Sequence, residues 1–479
     1  MILVSILLIL GVLVVAGAVK VVPPLLALGR QSRREEELRG ILVPREKLVV
    51  KGDEPPAELA AVLDAARSGD WRPAAGYLAE VGAYRDASLR WARLGPLCTV
   101  AAEDDTWLRR WREEDPRNTA AALVQTSVLV SRAAAIRTSK PASEVSAEQF
   151  RGFHEVLREA EQVALQAVEA APAEDANPWV AQIVIAMGLS WSREDFRTLW
   201  AEVVARDPHH LRAHEAALQY WCAKWHGSHE LMHAFVDTAL ASASAGSLLT
   251  VLRIRAFFEQ ISRDKAPAEA YRTPEFTAAV DALLADLAQA DPTHPYLQDA
   301  RGWAAWGLVK NARPVQSLEL FRVMGREVAG PWLDHEDPRA AFYRMRENSV
   351  QAVARGGGGG GGWGGGGARG RGAARRGPPR GGSRWGAVSV TLLDSHPSST
   401  LQSRTLQSGG RVEWMEISVI GSEVGRSRTL QSALCKVRGA GEQRERRGKR
   451  LGQQGPGGRV RRGRRPWWRG RPAPPRPRR

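Results

Sequence analysis

The sequence predicts an all-α protein: an irregular α-solenoid, built as an array of helical hairpins, with an N-terminal transmembrane helix and a disordered C-terminal tail. Three observations predict it. An uncharged apolar run fills residues 2–19, helix-periodic segments follow one another to residue 354, and a Gly/Arg-rich composition begins at residue 355. The boundaries that follow are an anchor at 1–28, a juxtamembrane linker at 29–54, a helical domain at 55–354 and a tail at 355–479.

The first element is "MILVSILLILGVLVVAGAV". Its eighteen residues from Ile2 to Val19 span about 27 Å as a helix, near the thickness of a bilayer's hydrocarbon core. Pro23-Pro24 ends or kinks such a helix. No Lys or Arg precedes the run, so the basic n-region of a cleaved signal peptide is missing, although Ala16-Gly17-Ala18 has the small-x-small pattern. Basic residues lie beyond it, at Lys20, Arg30, Arg33, Arg34 and Arg39. The expectation is therefore an uncleaved single-pass anchor in the cell membrane, through residues 2–28, with the body in the cytoplasm.

The body reads as helix after helix because apolar residues recur with period 3.6 and no run alternates with period two. Segments of this kind begin at residues 56, 105, 119, 146, 192, 211, 273 and 316. Start signals stand before several of them: Asp104-Asp105, Ser146 with Gln149 three residues on, Ser192 and Thr273. A Pro-bearing turn followed by an Ala-rich helix recurs in "EEDPRNTAAAL", "EAAPAEDANPWVAQ", "VARDPHHLRAHEAAL" and "AQADPTHPYLQDARGWAAW". The 36 residues from Pro172 to Pro208 suit stacked hairpins of the tetratricopeptide kind, though the intervals are uneven. The body holds 12 of the 17 tryptophans, and Trp107/Trp111, Trp221/Trp225 and Trp303/Trp306 are spaced to share a helix face. Packing between hairpins is the default use of such pairs.

Charge separates the body from the tail. From Arg355 onward there are 28 Lys+Arg and 6 Asp+Glu, leaving 40 and 46 in the first 354 residues, so the overall +16 comes from the tail alone. The same tail holds 30 of the 47 glycines and too little apolar surface to bury, hence the expectation of disorder. An Arg/Gly tail with interspersed Trp can bind nucleic acid through phosphate contacts and base stacking. A change of reading frame in GC-rich DNA explains the abrupt switch in composition equally directly, and is the preferred reading. The three cysteines, Cys98, Cys222 and Cys435, stand far apart, which argues against a disulfide framework or a cysteine zinc site.

One motif carries possible chemistry. His229-Glu230-Leu231-Met232-His233 spells H-E-x-x-H, in which a helix brings two imidazoles to one zinc and the glutamate polarises the metal-bound water. In that alternative Glu230 is catalytic and His229, His233 and Glu259 hold the zinc. Val236 and Ala239 stand where the extended metzincin pattern requires Gly and His, and nothing upstream resembles a substrate-binding strand. The structural reading places Ser228 as N-cap, His226 outside the helix, Leu231, Met232 and Phe235 on the buried stripe, and the two histidines at its edge.

The segment "WCAKWHGSHELMHAF" resembles a bacterial, actinomycete-like family of membrane-anchored, tetratricopeptide-like helical proteins of unknown function. Trp225, Gly227, Ser228, Met232 and Phe235 match its recurring pattern, and Val236 departs from it. The resemblance implies that the motif is structural, that the second histidine is not part of it, and no activity or cofactor. The expected function is protein or peptide binding on the concave face of the solenoid, with exposed Trp and Arg as anchors and no catalysis. The alternatives are a zinc metallopeptidase at 229–233 and nucleic-acid binding through the tail.

Overall fold

Local signals set the helices. Ser146 accepts from Gln149 N (3.1 Å) while the Gln149 side chain accepts from Ser146 N (3.0 Å), a reciprocal cap that starts the longest of the described helices. Ser192, Ser228 and Thr273 cap their helices through Asp195 N, Leu231 N and Phe276 N. Asp104 accepts from both the amide and the hydroxyl of Thr106.

The computed structural model describes residues 28–81, 86–138 and 144–356, and these are all-α. Helix α1 covers 28–40. The others are α2 Ala57–Arg67, α3 Arg72–Ala79, α4 Ala87–Glu103, α5 Thr106–Glu114, α6 Thr119–Arg137, α7 Ala147–Ala170, α8 Asn177–Gly188 and α9 Arg193–Arg206. They continue as α10 Leu211–Trp221, α11 His229–Ala241, α12 Val251–Asp264, α13 Pro274–Leu287, α14 Leu297–Lys310, α15 Pro314–Met324 and α16 Pro338–Ala354. Two-residue strands β1 Val49–Val50 and β2 Glu327–Val328 pair in parallel, Val49 opposite Glu327 and Val50 opposite Val328. The expected anchor and the tail from 357 lie outside the described residues.

Helices pack on their chain neighbours from α2 to α9 and again from α10 to α16. The even-numbered helices also touch one another in order, α6 to α8, α8 to α10, α10 to α12, α12 to α14 and α14 to α16. The recurring turn explains part of this order. Asp115-Pro116, Asp207-Pro208 and Asp291-Pro292 are each followed, three residues after the Asp, by a side chain that accepts a backbone amide, as the N-cap of α6 and of α10 and within the turn before α14. Asn118 accepts from Ala121 N, His210 Nδ1 from Ala213 N and His294 Nδ1 from Tyr296 N.

Two apolar clusters meet at α10. Ala213, Ala216, Ala217, Tyr220 and Trp221 pack toward the N-terminal helices, while Leu211 and Leu218 pack toward the C-terminal ones. All eleven residues of α10 are buried.

Three expectations are corrected. Residues 29–54 are not a linker: Leu42 and Leu48 are buried in the C-terminal core, and β1 joins β2. The cause is apolar pairing plus charge, since Lys51 bonds Asp299 (2.7 Å) and Arg346 donates to Val43 O (2.8 Å). Helix α10 stops at Trp221 instead of running to 225: Cys222 turns extended, His226 N returns to Tyr220 O, and Gly227 packs so close that a Cβ there would meet the Trp221 carbonyl oxygen at 1.7 Å. Trp221 and Trp225 therefore share no helix face. Third, none of the described tryptophans is exposed. Trp71 stacks on Trp111 at 5.4 Å, and Trp303 and Trp306 meet edge-on at 5.7 Å with Phe258 against both.

Among the described residues, α6 is the one helix long and apolar enough to cross a membrane, by length and composition. Half of its apolar window is buried inside the protein, and it packs against α4, α5, α7 and α8.

Candidate functional site

Ser228 accepts from Leu231 N (3.2 Å) and starts α11, leaving His226 outside the helix as the sequence indicated. Met232, Val236 and Ala239 form the fully buried stripe, spaced i, i+4, i+7; Leu231 and Phe235 flank it, half-buried. The Val236 that departs from the family pattern is thus a core residue. The turn before α11 is tied to the preceding hairpin: His226 Nε2 lies 2.8 Å from Met187 O, and Arg193 donates to His226 O (3.0 Å).

His229 and His233 do fall on one face of α11, and that face lies against α12. His229 Nε2 is 3.1 Å from Asp264 Oδ1, and His233 Nε2 is 2.8 Å from Gln260 Oε1. Each imidazole thus meets its own partner, one turn apart on the facing helix. Glu259, the third ligand of the zinc alternative, bonds Lys224 at 2.8 Å. Glu230 is fully exposed; a hydrogen bond from Ser228, and then its own backbone amide, hold its carboxyl below the usual range. Among the described residues no group of three or more His, Cys, Asp or Glu is arranged to hold a metal ion.

Cys222, five residues before the motif's Gly227, is buried. Burial first, and the Glu259 charge second, push its thiol up to about 12. At that value the thiolate is negligible near neutrality, so the residue is packing rather than nucleophile.

The charged groups that sequence reasoning missed lie inside the array. Arg212 Nη1 bonds Glu215 (2.7 Å), its Nη2 bonds Asp299 (3.0 Å), Arg255 bonds Glu215 (3.1 Å), and Lys51 closes the chain on Asp299. Arg212 stacks over Tyr296 at 4.3 Å and Arg255 over Trp303 at 4.8 Å. Burial raises the Asp299 carboxyl, but the Lys51 and Arg212 charges and the bonds from Lys51 and Gly330 outweigh it and hold it below the usual range. Beside Arg212, a cavity of about 20 Å³ is lined by Trp91, Thr126, Ser127 and apolar residues of α6, α8 and α10. That volume suits about one water molecule.

His210 and His214 belong to the same interior. His210 Nε2 lies 3.1 Å from Asn177 Oδ1, and His214 Nδ1 lies 3.1 Å from His210 O. Burial depresses both imidazoles to about 4, so they are neutral at physiological pH.

No family model, curated protein or solved structure matches this chain.

Proposed function

We propose that this is a membrane-anchored, tetratricopeptide-like helical-repeat scaffold in the cell membrane, tethered through residues 2–28 with its body cytoplasmic. It acts by binding another protein or peptide and carries no catalytic activity or cofactor. The observation that carries the reading is the hairpin order itself, with α6, α8, α10, α12, α14 and α16 touching in succession while their partner helices pack beside them. That is the contact pattern by which repeat arrays present an extended surface.

The binding surface differs from the concave face expected from sequence. The inner helices are covered: Trp91 of α4 meets His210 edge-on, Tyr296 donates to Ser88 O, and Lys51 caps Asp299. The partner face is therefore the outer side of the second helices. On α15, Val315 and Val323 are 56% and 46% exposed beside the Glu319–Arg322 pair. The peptidase alternative draws no support from the arrangement of His229, His233 and Glu259.

The test is site-specific photocrosslinking of the full chain in membranes, with probes at Val315 and Val323 on α15 and at Arg197 on α9. Discrete adducts from these positions, reduced by Val315→Asp, are expected. A chain found in the soluble fraction, or outer-face probes that yield no adduct, would reject the scaffold.

A further inference from the structure

The fold brings the N-terminal end of α1 beside the C-terminal end of α16. Arg39 pairs with Glu347 (2.9 Å), Val43 accepts from Arg346, and Arg45 lies over the Tyr343 ring (5.2 Å). As the chain runs forward from 39 to 45 its partners run backward from 347 to 343, so the two segments are antiparallel. From Arg39 back to Arg30 is nine helical residues, about 14 Å; from Glu347 on to Arg355 is eight, about 12 Å. Arg30 and Arg355 thus stand at the same end of the domain.

That end is basic, and Glu35, the carboxylate within electrostatic reach of Arg355, is already hydrogen-bonded to Arg39. Arg30, Arg33, Arg34 and Arg355 are all exposed, and among the described residues none of the four is in an ion pair, whereas Arg39 is held by Glu35 and Glu347. Only Gln31, Glu35 and Leu38 of α1 are half-buried, which leaves the arginine face free. The acidic residues of the exposed face, Glu36 and Glu37, come later in the helix, further from the end. Leu28, 59% exposed, precedes the arginines and is continuous with the apolar N-terminal segment.

We propose that this four-arginine end is a docking surface for the anionic phospholipid headgroups of the bilayer that holds the anchor. The surface sets the body's orientation: the α1/α16 end faces the membrane. Arginine suits the task because its planar fork bonds phosphate oxygens in pairs and stays charged at any physiological pH. The attraction is electrostatic and short-ranged, with a screening length of about 8 Å at physiological salt and about 3 Å at 1 M. The proposal rests on the anchored reading given above.

The experiment uses the full chain in nanodiscs of phosphatidylcholine alone, or of phosphatidylcholine mixed with phosphatidylglycerol. Amide hydrogen exchange is followed in residues 29–40 and 345–356. Several-fold slower exchange in the anionic discs is expected, abolished by 1 M salt and by the Arg30→Gln/Arg33→Gln/Arg34→Gln/Arg355→Gln variant. Exchange in α8 and α10, unchanged across both proteins, controls for folding. Equal exchange in the two kinds of disc, or slowing that survives in the variant, overturns the proposal while leaving the anchor intact. A chain that fails to enter discs of either composition overturns both.

Discussion

Asp299→Asn isolates the force that holds the N-terminal segment on the array. The carboxylate is almost fully buried and receives Lys51 at 2.7 Å, Arg212 at 3.0 Å and the Gly330 amide at 3.2 Å. The amide keeps the shape but removes the charge, so buried Arg212 and half-buried Lys51 lose a shared counter-ion and only Arg212 retains another, Glu215. Breaking a buried pair from one side costs about 3–5 kcal/mol. Lys51 is 27% exposed, and water at its end places the loss near the lower figure, about 3 kcal/mol. Lys51→Met leaves Asp299 paired with Arg212 and should cost less, about 1–2 kcal/mol. Helical arrays unfold in parts, so urea denaturation followed by circular dichroism needs a local companion. Native-state hydrogen exchange at residues 42–51 and 327–328 supplies it. Opening of β1 should rise by the full 3 kcal/mol equivalent while α6 and α7 stay protected. Unchanged exchange in residues 42–51 would show that apolar contacts alone hold the segment and that the buried charges are incidental.

Four further outcomes follow from the same contacts. His210 and His214 are neutral in the fold at about 4 but titrate at 6.5 when unfolded, so the unfolded chain binds more protons between those values. Their stability contribution is whole above pH 6.5 and declines as pH falls toward 4, by up to about 3 kcal/mol each. Urea midpoints across that range check it, and His210→Asn/His214→Asn should flatten the profile. Gly227→Ala drives a Cβ into backbone and should cost about 3 kcal/mol or more, whereas Gly76→Ala, with nothing within 4 Å, should stabilise α3 by about 0.5–1 kcal/mol; thermal midpoints compare them. Zinc should leave the thermal midpoint of the full chain unchanged, and a rise that His229→Ala or His233→Ala removes would revive the peptidase. Cleavage at a protease site placed between Asp53 and Glu54, both exposed, should leave residues 28–53 bound in native gel filtration, and their release would refute tight docking.

The sequence displayed those elements whose information is local. Helix α7 announces itself because its cap, Ser146 with Gln149, and its apolar stripe, Phe153, Leu157, Ala160 and Ala164, all lie on one continuous segment. The N-cap of α11 was legible for the same reason, as was the placement of the two histidines at the edge of its stripe. What escaped was decided by distance along the chain. Arg212, His214, Glu215 and Gln219 look like the solvated side of an amphipathic helix, yet they are buried: Arg212 meets Asp299 of α14, Glu215 meets Arg255 of α12, and His214 lies between Trp200 of α9 and Phe235 of α11. Lys51 and its partner Asp299 are 248 residues apart, and no periodicity in either neighbourhood marks them as a pair. The exposed tryptophan anchors failed likewise: an i,i+4 pair shows that two rings share a face, not whether another helix covers it. Trp71, forty residues earlier, is what covers Trp111.

In the anchored protein proposed above, the position of residues 28–51 changes how anchor and array relate. A flexible linker would transmit nothing from the membrane to the hairpins beyond confinement to two dimensions. Here α1 packs on α16, β1 pairs with β2, and Lys51 enters the interior beside Arg212, so displacement of α1 is carried into α14 and α16. Helix α2 is reached only through Gly52–Pro56, whose exposed Asp53 and Glu54 pair with Arg339 and Arg326. The chain thus enters its own fold at the C-terminal end. The helices from α14 onward are held closest to residues 28–51, while α2 and α3 pack with α4. In a tethered scaffold that difference decides which surface meets the membrane and which is free to meet a partner. It also places the exposed valines of α15 in the portion of the array tied most directly to the proposed anchor.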